Sequence, residues 1–144
     1  MRRRPVHDPE SGSATIEAVI IVPVLGLMIM LIVFGGRVAI AHQSVQTAAF
    51  QAARTASLAR DPIQAHDDSV TSAQASLADQ DIRCTATDVT VDTTGLTTPV
   101  GTPSSVSATV TCHLDVSDLG LPIPGSRTIT ATMTSAVDQH RERP

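Results

Sequence analysis

The sequence predicts an α+β protein: a long N-terminal helix that begins as a transmembrane segment and continues as an amphipathic one, a short second helix, and a small three-stranded antiparallel sheet. Three observations predict it. An uncharged apolar run near the N-terminus is long enough to cross a bilayer. A stripe of small residues carries the helical period beyond that run. Past residue 82 the apolar positions recur every second residue, the period of a half-buried strand.

The apolar run covers residues 18–36, 19 positions without a charge, and is closed by Arg37. As a helix it spans about 28 Å at 1.5 Å per residue, close to the hydrocarbon thickness of a bilayer. Its Leu, Ile, Val and Phe residues together favour insertion by roughly 4 to 7 kcal/mol, less the cost of Pro23, where a helix kink is expected, and of Gly26. Arg2, Arg3 and Arg4 precede the run, which predicts a cytoplasmic N-terminus and an exported C-terminus. The chain then divides into a cytoplasmic leader (1–12), a transmembrane helix (13–36), a juxtamembrane helix (37–60) and an extracytoplasmic α+β domain (61–144).

In the juxtamembrane helix Val38, Ala41, Val45, Ala48, Ala49, Ala52, Ala56 and Ala59 fall on one face, with Gln43, Gln46, Gln51 and Arg54 largely outside it. Such a stripe lets another backbone approach closely. It serves a partner helix or the chain's own C-terminal domain equally well. Asp61-Pro62 ends the helix, because proline disfavours helical geometry in the residue before it. A second helix over residues 64–79 would place Val70, Ala73 and Leu77 together.

Two strands are clear. Val106, Ala108, Val110, Cys112, Leu114 and Val116 alternate with polar residues, and Ile129, Ala131 and Met133 alternate with threonines. The first strand, residues 82–92, is irregular. Ile82, Cys84 and Ala86 share one parity and Val89 and Val91 the other, which predicts a bulge near Thr87 or Asp88. A hairpin centred on residue 98 sets Cys84 opposite Cys112 with Cα atoms about 4.5 Å apart, near the lower limit for a disulfide. In an exported domain that bridge is the expected state, and closing the loop adds roughly 3 to 4 kcal/mol. Leu119, Leu121 and Ile123, in the loop between the last two strands, either cover the open end of the sheet or form a partner patch.

Composition narrows the function. The chain contains no Lys, Asn, Trp or Tyr and only two Phe, and its bulky apolar residues crowd near the N-terminus. The remainder has little material for a water-excluding catalytic pocket. His7, His42, His66, His113 and His140 show no metal-ligand spacing, and no phosphate-cradling glycine loop or G-x-S-x-G motif occurs. No enzyme, metal or cofactor is expected. Acidic residues dominate after Arg60 and stacking aromatics are missing, so nucleic acid is not an expected partner.

The most specific stretch is Gly12-Ser13-Ala14-Thr15-Ile16-Glu17, leading directly into the apolar run. Gly12 presents no side chain to obstruct a protease at the membrane surface. Glu17, read as part of the first helical turn, is favoured by the helix dipole, yet at the edge of the hydrocarbon an unpaired carboxylate is costly. A free N-terminal amine on a neighbouring subunit would neutralise it. The plainer readings are a loop glycine with a helix-end acid, or a secretory signal cut after Ala39-Ile40-Ala41. These would leave a small binding module, anchored by the helix in the first case and secreted in the second.

A glycine, four residues and a glutamate at the head of a membrane helix resembles the processing site of type IV pilins and pseudopilins. The order Ser-Ala-Thr-Ile-Glu-Ala with Pro23 beyond it, the Ala/Arg-rich stretch over residues 48–54, and the Pro-Gly-Ser-Arg-Thr-Ile-Thr-Ala-Thr run near the C-terminus together resemble TadE-like proteins of the actinobacterial type. Ala18 and Ala52 depart from that pattern, where a larger residue and a glycine respectively are frequent. The resemblance implies a minor pilin or pseudopilin of a tight-adherence, Flp-type pilus. It further implies that a prepilin peptidase cuts between Gly12 and Ser13, that Glu17 acts in subunit assembly, and that the partners are membrane lipid, that peptidase and other pilus-assembly subunits.

Overall fold

The computed structural model describes residues 11–119 and 124–138. In order they form α1 (Ser11–Leu58), α2 (Pro62–Asp79), β1 (Ala86–Asp92), β2 (Ser104–Asp115) and β3 (Ser126–Val137), with short 3₁₀ helices at Thr94–Thr97 and Val116–Leu119. Helix α1 has 48 residues and continues through Pro23, giving a rod of about 72 Å. None of residues 16–40 is buried. Beyond them Ala41, Val45, Ala48, Ala49, Ala52, Ala53 and Ala56 are almost wholly enclosed. The small-residue stripe therefore packs on the chain's own domain, between α2 and the inner face of the sheet.

Asp61 explains how the chain breaks and immediately restarts a helix. Its carboxylate accepts hydrogen bonds from the Ile63 and Gln64 N–H groups at 3.0 and 2.9 Å, and Pro62 occupies the first helical position, where a missing N–H costs nothing. Helix α2 thus starts at Pro62, ahead of the expected residue 64. Ala65, Ser69, Ala73 and Leu77 form its buried face at a strict spacing of four. Ser69, fully buried, donates from its hydroxyl to the Ala52 carbonyl at 2.9 Å, a bond available only because both helices present small residues there.

The α2 terminus is fixed by two backbone bonds, Ile82 N–H to the Leu77 carbonyl at 3.1 Å and Asp81 N–H to the Ala78 carbonyl at 3.0 Å. This is a Schellman closure, with Asp81 in the left-handed region at φ 54° and Ile82 folded back on the core that holds Leu77.

The sheet order is β1-β2-β3, antiparallel throughout. Val106, Ala108, Val110, Cys112, Leu114, Ile129 and Ala131 line the inner face. Outside, Thr109 pairs with Thr132 at 2.8 Å and Thr111 with Thr130 at 3.2 Å through their hydroxyls. The expected bulge is absent. Strand β1 begins at Ala86 and pairs residue for residue, from Ala86 with His113 to Asp92 with Ser107. The parity slip arises because residues 82–85 precede the strand as a connector. Cys84 lies in that connector and is bonded to Cys112, with Cα atoms 5.4 Å apart. It does not sit directly opposite: Thr87 does.

The β1–β2 connection depends on Gly95, where a Cβ would collide with the Ser105 carbonyl. The base of the β2–β3 loop is closed by the Val116 N–H donating to the Gly125 carbonyl at 2.9 Å. Leu121 and Ile123, and the side chain of Leu119, lie outside the described residues.

Candidate functional site

The motif residues stand at the start of α1. The backbone of Gly12 and Ser13 is helical, since Ser11 already begins the element; the side chain of Ser13 lies outside the described residues. Glu17 is exposed and follows six residues after the helix start, so it stands beyond the first turn, which contains no acid. The expectation that it lies within the first turn is corrected for the full chain. Nothing in Gly-Ser-Ala breaks a helix approaching an apolar run, and the element extends back past it. Positions 13 and 17 lie one turn apart on one face, about 6 Å along the axis.

Glu17 and Arg37 bracket the exposed apolar stretch. On a helix they lie about 30 Å apart, one charge at each border of a hydrocarbon layer. Between them Val19, Ile20, Leu27, Ile29, Leu31 and Ile32 are each more than 60% exposed. Water does not solvate such a surface favourably, and an apolar band of this length matches a bilayer. The helix over Ile16–Leu58 is the one candidate span among the described residues. Pro23 lies six positions past Glu17 within it.

The remaining polar groups serve local structure. Asp92 accepts from the Thr94 N–H at 3.0 Å, and this backbone bond, followed by the Thr94 side chain, holds its carboxyl below the ordinary value. Asp115 is lowered in the same way, first by the Ser117 N–H at 2.9 Å and then by the Ser117 hydroxyl at 2.8 Å. His113 shares a 2.9 Å hydrogen bond with Thr128 on the outer face of the sheet, and His66 lies 3.4 Å from Asp67. Among the described residues no three His, Cys, Asp or Glu side chains converge as metal ligands. His7 and His140 lie outside those residues.

The structure adds a feature that the sequence hides. Arg37 and Arg83, far apart in the chain, line one cleft where the apolar stretch of α1 meets the domain. The only sequence signal for it was Arg37 closing the run; nothing marked Arg83.

No curated protein and no solved structure matches the chain. A family model does match: residues 12–54, from the glycine of the N-terminal motif through the apolar stretch to Arg54 in the docked half of α1, are similar to TadE-like proteins.

Proposed function

We propose that this chain is a minor pilin or pseudopilin of a tight-adherence, Flp-type pilus, a non-catalytic single-pass subunit that assists assembly. The observation that carries this reading is where the family match begins and ends. It starts at Gly12, includes Glu17 and every large exposed apolar residue of α1 except Leu58, and stops within the stripe that docks the domain.

In this reading a prepilin peptidase cuts after Gly12 and Ser13 becomes the first residue. The helix then starts at Ser13, so Glu17 moves from beyond the first turn to its edge, where the dipole favours a carboxylate. At the hydrocarbon border that carboxylate needs a counter-charge, and the new amine of an adjacent subunit supplies one. Pro23 bends the helix below this contact. The N-terminus is cytoplasmic, the α+β domain lies outside, and the partners are membrane lipid, the peptidase and other pilus-assembly subunits. A signal-type cut after Ala41 fits less well, because Ala41 belongs to the core at 1% exposure and would be lost from it.

Two substitutions test the proposal. Gly12→Val is expected to leave the leader attached. Glu17→Ala is expected to allow processing and membrane insertion but to stop pilus biogenesis. Normal pili from a cell carrying only Glu17→Ala would sink the assembly role.

A further inference from the structure

The apolar stretch of α1 fixes the height of everything attached to it. Residues 18–36 occupy about 28 Å of helix, the depth of the hydrocarbon. Arg37 to Ala41 rise a further 6 Å or so, and the headgroup layer on each side of a bilayer is about 5 to 8 Å deep. If α1 spans the membrane, the proposed reading on which this inference rests, the groups around Arg37, Ile40 and Ala41 lie among lipid headgroups.

A cleft of about 410 Å³ opens at that level. Its walls are Arg37, Ile40 and Ala41 of α1, residues 80–83 of the turn after α2, and Leu114 of β2. Arg37 and Arg83 therefore line a space whose walls also include Asp81 and Gln80. Ile40 is 59% exposed and Ile82 half-buried, which adds an apolar rim. Arg83 sits on a short segment held at both sides: the Schellman bonds of Asp81 and Ile82 precede it, and the Cys84–Cys112 disulfide follows. Its backbone is thus set in advance and not ordered on binding.

We propose that this cleft binds the phosphate headgroup of an anionic phospholipid, with Arg37 and Arg83 on the phosphate and Ile40 and Ile82 against the upper part of the acyl chain. A guanidinium presents paired N–H donors matched to phosphate oxygens. Arginines outnumber acids among the lining residues. Continuity with the membrane-facing stretch selects a lipid as the source of the phosphate. The cleft would seat the domain at a fixed height and rotation on the bilayer.

The chain contains no tryptophan, so Phe34→Trp places a single fluorophore one turn before Arg37. The full-length variant is reconstituted in phosphatidylcholine vesicles containing lipid brominated near the top of the acyl chain, as either phosphatidylglycerol or phosphatidylcholine. Both are expected to quench. The glycerol lipid should show about fivefold stronger association at the tryptophan, the value expected for one net charge near the surface. Arg37→Gln with Arg83→Gln should abolish the preference, while Arg54→Gln, at an exposed position about 25 Å farther along α1, should keep it. Equal quenching by the two lipids, a preference surviving the double substitution, or one removed by inorganic phosphate in the buffer would each overturn the lipid site while leaving the span intact. No quenching by either lipid would instead remove the membrane reading itself.

Discussion

Helix α1 is one continuous element, yet its two halves meet opposite surroundings. From Ile16 to Ile40 no residue is buried, and Val19 and Leu31 remain 68% and 64% exposed. From Ala41 onward one face of the helix is built of small side chains and leaves solvent, with Ala48, Ala49, Ala52, Ala53 and Ala56 at 0%. The buried stripe and the exposed stretch are both apolar, so hydrophobicity alone does not separate them; side-chain size does. Alanine allows α2 and the sheet to close on the helix backbone, near enough for Ser69 to bond the Ala52 carbonyl. Alanine also loses no rotamer entropy in a helix. Leucine, isoleucine and valine would hold those layers apart, and in the first half they present a surface suited to acyl chains.

The sharpest way to break the comparison is to loosen the sheet on which the buried half rests. Replacing Cys84 and Cys112 together by alanine should lower domain stability by about 3 to 4 kcal/mol, read as thermal unfolding in mild detergent, while membrane insertion is unchanged. Next in size, Ala52→Leu should cost about 1 to 3 kcal/mol by overpacking. Its mirror, Leu25→Ala, should leave domain unfolding within about 0.5 kcal/mol of the parent. Equal effects from the two would mean that the halves are not distinct environments.

Smaller changes sharpen the picture at the edges of the buried half. Asp81→Gly relieves a left-handed backbone and should stabilise the domain by about 0.5 to 1 kcal/mol, measured by the same melt. Asp115 concerns pH. Its folded carboxyl is lowered from 3.8 by the Ser117 N–H and hydroxyl, so its contribution is present above that value and is lost as pH falls through the folded one. Asp115→Asn should therefore reduce the acid dependence of the melt below about pH 4, with the parent as reference.

Much of this architecture was legible because its periods are strong. The uncharged run, the spacing of alanines and the alternation from Val106 to Leu114 each identify one kind of element. The start of β1 was not legible. Its register is set by the Schellman turn at Asp81 and by the loop containing Gly95, and both depend on backbone geometry that residue alternation does not encode. The cysteines could be paired despite a hairpin centre that was off, since a connector residue reaches Cys112 as readily as a directly opposed one. The direction of the alanine stripe was also hidden, because a small-residue face is the same pattern whether it meets a neighbour or its own domain. The Arg37–Arg83 cleft requires two segments brought together only by the fold.

The proposed assembly role requires a cut between Gly12 and Ser13. The most direct test is the intact mass of the protein extracted from its native membrane. The account predicts a chain beginning at Ser13, with the exposed half of α1 and Glu17 retained. A chain beginning at His42 would leave the buried half without the membrane half, and one beginning at Met1 would leave Glu17 far from any free amine; either would contradict it.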